Sequence, residues 1–192
     1  MSSLQVKPVN LDTPIAEQVD SLYTDAFPRV DKFAFDGMCR FAKENDGVDF
    51  NAYFDGETFC GFSFTLLSDS YLFVLYLATV EKLRSQGYGT RILQYLEERN
   101  PGKVVVLDIE LPHPEAKNAE QPQRRRAFYE RNGFWCTGDV FGVEDNLYLL
   151  LTTGESWDCA AFLAEALDAY GNLADYYFGE IYHFDDEVRK PA

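Results

Sequence analysis

Residues 84–90 read Arg84-Ser85-Gln86-Gly87-Tyr88-Gly89-Thr90. An arginine followed by two glycines one residue apart suits an anion. Glycine lets backbone N–H groups approach a ligand closely, and a helix opening there adds the positive end of its dipole. A lone Gly-x-Gly is also what tight turns use, so context decides. A dinucleotide fingerprint needs a third glycine at position 92, which is Ile92, and a Walker loop needs Gly-Lys-Ser/Thr where Gly89 is followed by Thr90-Arg91. Both common phosphate loops are excluded.

A second cluster, Phe128-Tyr129-Glu130-Arg131-Asn132-Gly133-Phe134, begins thirty-nine residues after Gly89. A phenol with a pKa of about 10 can hand a proton to a departing anion. Alternatively, Tyr129 is an aromatic core residue with a bonded hydroxyl. Carboxylates supply the complementary chemistry. Along residues 104–110, period-2 alternation puts Val105, Leu107 and Ile109 on one face and Val104, Val106, Asp108 and Glu110 on the other. Glu110, at the strand's end, is a candidate base or else a cap or ion-pair residue there; Asp108, Glu81 and His113 are the other candidates. His183 stands among aromatics and reads as structural.

The elements that must position these residues follow from pattern and punctuation. Leu4–Val9 reads as a first strand. Thr13-Pro14 reads as an N-cap and first helical residue, opening a helix to about Ala26 that Pro28 ends. A second helix is expected over Asp31–Lys43, with Phe33, Phe35, Met38 and Phe41 facing the core. Residues 48–54 alternate as a half-buried strand, Asp55-Gly56 signals a hairpin, and Glu57–Leu67 is its partner. Tyr71–Thr79 is a nearly continuous apolar strand. Gly87–Arg99 reads as a helix stopped by Asn100-Pro101-Gly102, Lys103–Leu111 as a buried strand, and Glu120–Arg131 as a helix closed by Asn132-Gly133. Phe134–Val143 and Asn146–Thr153 form a closing pair around Glu144-Asp145. Glu155–Tyr170 reads as a helix burying Trp157, Ala161, Leu163, Ala164 and Leu167. An aromatic, acidic tail with Tyr176, Tyr177, Phe178, Tyr182 and Phe184 follows. The order βααβββαβαββ with an extension is a mixed α/β domain.

The chain has 192 residues and a net charge of −15, with 46% hydrophobic residues, a one-domain profile. Such acidity makes nucleic acid and anionic membrane poor partners. The charge is uneven: residues 82–131 hold ten basic residues against seven acidic. A basic middle in an acidic chain suits a local anionic ligand rather than a long polyanion, although composition alone favours a set of solvated helix faces. Cys39, Cys60, Cys136 and Cys159 show neither zinc spacing nor a disulfide framework. No apolar run is long enough for a bilayer, and no export signal opens the chain, so reduced thiols and a cytoplasmic location are expected.

The strand–Arg-x-x-Gly-x-Gly–helix arrangement resembles the acyl-CoA loop of the GNAT superfamily of N-acetyltransferases. Leu77-Ala78-Thr79 resembles that family's bulged fourth strand, and Phe128–Phe134 resembles its second signature. The resemblance covers about residues 1–153, with 154–192 as a C-terminal helix and aromatic tail packed on the same domain. It implies a mostly antiparallel central sheet whose middle strands splay, flanked by helices, plus that helical extension.

The resemblance also implies roles. Backbone amides of Gln86, Gly87, Tyr88, Gly89 and Thr90 would hold the pyrophosphate of acetyl-CoA, with Arg84 adding charge. Leu77, Ala78 and Thr79 would pair with the pantetheine arm. Tyr129 would stand near the thioester sulfur, and Glu110 beside the splay as base. An asparagine common seven residues before that tyrosine is replaced by Pro122. One or more of Arg124, Arg125 and Arg126 would reach phosphate, but three consecutive arginines cannot share one helix face. The implied activity is direct acetyl transfer to a primary amine, with no metal and no cysteine intermediate. The alternatives are a non-catalytic acyl-CoA sensor or partner-binding module, and a protein N-acetyltransferase. Acidity outside the basic window leans toward a cationic acceptor, although acidity also serves solubility alone. The tail would cover the acceptor cleft, form a dimer contact or simply pack, packing being the default; a monomer and a homodimer both stay open.

Overall fold

The computed structural model describes residues 3–27, 33–111, 120–143 and 146–185. Its strands form one mixed sheet of order β1-β2-β3-β4-β5-β7-β6-β8. The strands are β1 (Gln5–Pro8), β2 (Val48–Asp55), β3 (Thr58–Leu67), β4 (Tyr71–Thr79), β5 (Val104–Glu110), β6 (Trp135–Val143), β7 (Asn146–Thr152) and β8 (Ile181–His183). The helices are α1 (Pro14–Ala26), α2 (Phe35–Glu44), α3 (Tyr88–Arg99), α4 (Glu120–Arg131), α5 (Cys159–Tyr170) and α6 (Asn172–Phe178). The chain divides into two compact units, Met1–Leu67 with Val74–Pro101, and Ser68–Phe73 with Gly102–Ala192.

In the first unit, α1 buries Ala16, Val19 and Tyr23, the i, i+3, i+7 stripe of an amphipathic helix. The Tyr23 ring meets Phe62 and Tyr76 edge-on, at 6.0 and 5.0 Å. Thr13 is the N-cap residue by position, but its hydroxyl donates to the Asn10 carbonyl at 2.8 Å instead of accepting from the first turn. Pro14 lessens the need for a cap, having no N–H to satisfy. The second helix starts at Phe35, so Phe33 precedes it; Met38 is buried as expected, while Phe33, Phe35 and Phe41 are half-buried. Pro28 and Asp31 lie outside the described residues, as do His113, Glu144 and Asp145.

The Asp-Gly hairpin forms one residue later than its signal suggests. Asp55 pairs with Thr58 as the last residue of β2, and the turn is Gly56-Glu57, with Gly56 at φ 60°. A glycine at the first central position is the other favoured two-residue hairpin. The shift turns Asp55 from a loop residue into a strand residue with a defined side-chain direction.

The second unit is built on aromatic rings. Phe162 of α5 packs against Tyr71, Phe73, Trp157 and Phe178 at 5.2–5.9 Å. This corrects the expected face of α5. Phe162 and Ala166 are buried, Trp157 and Leu163 are half-buried, and Ala161, Ala164 and Leu167 are exposed. The bulkiest ring sets the helix's rotation, because it has the most apolar area to remove from water. The helix also begins later than Glu155, since Asp158 is extended and its carboxylate accepts from the Ala161 N–H at 3.1 Å.

The aromatic tail is not irregular: it forms α6 and then β8, which pairs antiparallel with β6. A buried carboxylate pins it. Asp139, 5% exposed, faces His183 Nδ1 at 2.7 Å and accepts from the Trp157 indole N–H. Burial and the same carboxylate push the Cys159 thiol up to about 12. His183 is raised above its usual value, chiefly by the hydrogen bond to Asp139. A raised histidine contributes fully below its unfolded value of about 6.5, and the contribution is lost as pH rises through the folded value. The Phe184 amide, which donates to the Gly138 carbonyl at 2.7 Å, reports on this strand. Its exchange protection is expected to fall as pH rises above about 6.5 in the wild type and to stay flat in His183→Gln. A flat wild-type profile would remove the charge on His183 from the account.

All four cysteines are free thiols, three of them buried. Among the described residues no helix is long and apolar enough to cross a membrane.

Candidate active site

In the first unit, β4 ends at Leu77, Ala78 and Thr79, with Ala78 buried and its two neighbours half-buried. β3 approaches this end closely: a Cβ on Gly61 would stand 2.3 Å from the Ala78 carbonyl oxygen. Glycine inside a strand marks such an approach. The Val80 N–H donates to the Cys60 carbonyl at 2.9 Å, and a 3-10 turn over Glu81–Leu83 carries the chain away from the sheet.

The loop then reverses through two left-handed residues, Ser85 at φ 63° and Gly87 at φ 84°. Gly87 is the N-cap of α3 and has no side chain to cap it. The N–H groups of Tyr88, Gly89 and Thr90 therefore open the helix with no intrahelical carbonyl in reach. The Gln86 N–H is directed to the Leu83 carbonyl at 3.3 Å, so it faces its own turn. Residues 84–87 are exposed. Arg84 stands 3.6 Å from Glu81, both solvent-facing, a pair worth little energetically. Helix-opening amides and an exposed guanidinium are groups that attract an anion.

In the second unit, Tyr129 is 7% exposed and lies against Phe128 and Phe134 at 5.1 and 5.6 Å. Burial pushes its phenol up to about 12; Arg125 pulls it down and Asp108 pushes it further up. Such a phenol keeps its proton at any physiological pH. Gly133, at φ 86°, closes α4 and turns the chain so that Phe134 meets Tyr129.

Glu110 is half-buried at the end of β5, opposite Tyr148 of β7. Asp108 accepts a hydrogen bond from the Tyr177 hydroxyl at 3.0 Å, which ties the tail to β5. Glu81 is exposed and paired with Arg84. Arg124 is exposed, whereas Arg125 and Arg126 are half-buried, as three neighbours on one helix must divide. Pro122 sits in the first turn of α4, where a missing N–H costs no helical bond. Among the described residues no group of three or more His, Cys, Asp or Glu could hold a metal ion.

Asp55, Gly61 and Tyr177 were not singled out by the sequence for these positions. Gly61 had a signal, a glycine inside a strand pattern. The local signal at Asp55 is only that of a hairpin, and Tyr177 is one of several rings in an aromatic tail.

Residues 45–135 match the sequence profile of the acetyltransferase (GNAT) domain. Over this segment the sequence is that of a GNAT acetyltransferase domain. The fold agrees. A GNAT-family protein from Bacteroides thetaiotaomicron superposes with a TM-score of 0.68 at 22% identity, over 92% of this chain and 99% of that one. An aminoglycoside 6′-N-acetyltransferase solved with coenzyme A gives 0.59 at 17% identity, over 80% of this chain and 99% of that one. The ribosomal-protein-S18-alanine N-acetyltransferase of Escherichia coli gives 0.55 at 16%, over 81% and 99%. No curated protein sequence matches the chain. The matched GNAT segment contains Leu77–Thr90, Glu110 and Tyr129, and it ends at Trp135. A match over 92% of the chain takes in part of the sequence after Gly154, so the structural likeness runs into the extension.

Proposed function

We propose that this protein transfers the acetyl group of acetyl-CoA to a primary amine, by direct attack in a ternary complex. The observation that carries the reading is the opening of α3: left-handed Gly87, the amides of Tyr88, Gly89 and Thr90, and exposed Arg84. These suit the pyrophosphate, and the end of β4 at Leu77–Thr79 suits strand-like pairing with the pantetheine arm.

The amine nitrogen forms a bond to the thioester carbonyl carbon, and the carbon–sulfur bond breaks. Glu110, directly or through water, takes the proton the nitrogen must shed, and Tyr129 gives its proton to the departing thiolate. Solvent carries the proton from Glu110 back to Tyr129, which leaves an amide and free CoA. The acceptor is an amine of a small molecule or a peptide, the two kinds named for structurally similar proteins. The acidic balance of this chain favours a cationic one.

Titration calorimetry with acetyl-CoA tests the donor site, with Gly87→Asp as the variant. A Cβ at Gly87 meets nothing within 4 Å, so the substitution adds a charge without a clash. Its left-handed φ costs about 1–2 kcal/mol, a loss of roughly 2–8 °C in Tm for a chain of this size. Affinity is expected to fall at least about 100-fold, because a carboxylate then occupies the anion's place. A folded wild type that does not bind acetyl-CoA overturns the proposal. Binding with no turnover of any amine would leave a CoA-binding module.

A further inference from the structure

The two glycines that let the loop approach an anion also loosen it. Gly87 and Gly89 flank Tyr88, so the only side chain at the centre of the helix opening is that of Tyr88. Glycine surrenders more backbone freedom on ordering than any other residue. Three donor amides aimed at one ligand are useful only if they are aimed before it arrives.

The Tyr88 side chain is held. Its hydroxyl donates to Asp55 Oδ2 at 3.2 Å. One turn further along α3, the Arg91 guanidinium donates to the same oxygen at 3.0 Å. The Arg91 guanidinium also lies over the Tyr88 ring, 5.0 Å from its centroid. The Arg91–Asp55 pair is largely shielded, with side chains 17% and 29% exposed. Asp55 reaches both because the hairpin turns at Gly56-Glu57, leaving Asp55 as the last paired residue of β2. All these residues belong to the first unit.

We propose that Asp55 is a positioning residue for the donor loop: from the end of β2 it ties Tyr88 and Arg91, and so fixes the first turn of α3 in its anion-binding orientation. It also offsets the charge of Arg91, leaving the backbone amides and Arg84 to meet the pyrophosphate. The inference rests on the proposed function, since it gives the turn's rigidity a purpose. Asp55 touches no ligand in this account and acts through Tyr88.

The test is a double-mutant cycle with Asp55→Asn, Tyr88→Phe and the double variant, each read in two ways. The first reading is affinity for CoA by calorimetry, and for pantetheine, which lacks the phosphates, by chemical-shift titration. Each single variant is expected to weaken CoA about 5- to 10-fold, the double no more than the worse single, and pantetheine less than about 2-fold. The second reading is hydrogen exchange of the Gly87, Gly89 and Thr90 amides without ligand, expected to quicken in every variant. Unchanged CoA affinity, additive losses, or equal losses for CoA and pantetheine would overturn the inference. If the wild type binds no CoA, the proposed function fails. The exchange arm still decides whether Asp55 orders the turn, and unchanged exchange refutes it.

Discussion

Gly61→Ala is expected to lower the thermal midpoint by roughly 6–12 °C and to remove most of the affinity for acetyl-CoA. The added Cβ would lie 2.3 Å from the Ala78 carbonyl oxygen and 3.1 Å from the Thr79 Cα. Both are backbone atoms, so no rotamer change makes room and the two strands must move apart. Overpacking of this kind costs about 3 kcal/mol, the upper end of its usual range, and each kcal/mol moves the midpoint of a chain this size by about 2–4 °C. Binding should suffer beyond stability, because the displaced residues are the ones proposed to pair with the donor's arm. Gly37→Ala is the control. That glycine lies inside α2, its added Cβ would meet only Ala34 Cβ at 3.8 Å, and alanine is the better helix former by about 1 kcal/mol. Its midpoint should rise by about 2–4 °C. A melting curve of Gly61→Ala that overlays the wild type would show that β3 and β4 have room to spare.

Tyr129→Phe should cut turnover by about 100-fold or more while leaving the dissociation constant of acetyl-CoA within about twofold, as expected for loss of a proton donor. The ring's contacts with Phe128 and Phe134 are kept, so only the hydroxyl is lost. Since burial holds the phenol up to about 12, it stays protonated throughout the range in which the enzyme would be assayed. The sign follows. A loss of rate between about pH 8 and pH 10 cannot be the deprotonation of Tyr129 and would belong to another group. Free-thiol release over a panel of amines measures the rate, and calorimetry measures the binding. A variant as fast as the wild type would remove Tyr129 from the chemistry and leave it as packing.

Local rules carried the sequence reading far. β4 runs over Tyr71–Thr79 and α4 over Glu120–Arg131, as their patterns predict, and α3 opens one residue after Gly87. These elements have strong boundaries: a nearly continuous apolar run, an Asn-Gly stop, a pair of glycines before a helical stripe. The loop over residues 84–90 is legible for the same reason, since its glycines and the helix they open are written in consecutive residues. Elsewhere two local readings were both acceptable, and packing chose between them. The hairpin at residues 55–58 has two favoured turn registers, and the chain takes the one that places Asp55 in β2. On α5, alanine and leucine spacing suggested one face, but Phe162 faces the core instead.

Near-neighbour patterns fix which segments become strands and helices, that a glycine-rich loop opens one helix, and that an Asn-Gly stop closes another. Those depend on periodicity, turn chemistry and short motifs, which are interactions between near neighbours. Tertiary structure alone decided which side chains meet across the chain. Asp55 reaches Tyr88 and Arg91 thirty-three and thirty-six positions away, and Tyr177 reaches Asp108 across sixty-nine. Asp139 gathers Trp157 and His183 from eighteen and forty-four. No local pattern encodes such pairs. They exist because burying aromatic surface brings the segments together, and polar groups buried with it must then find partners.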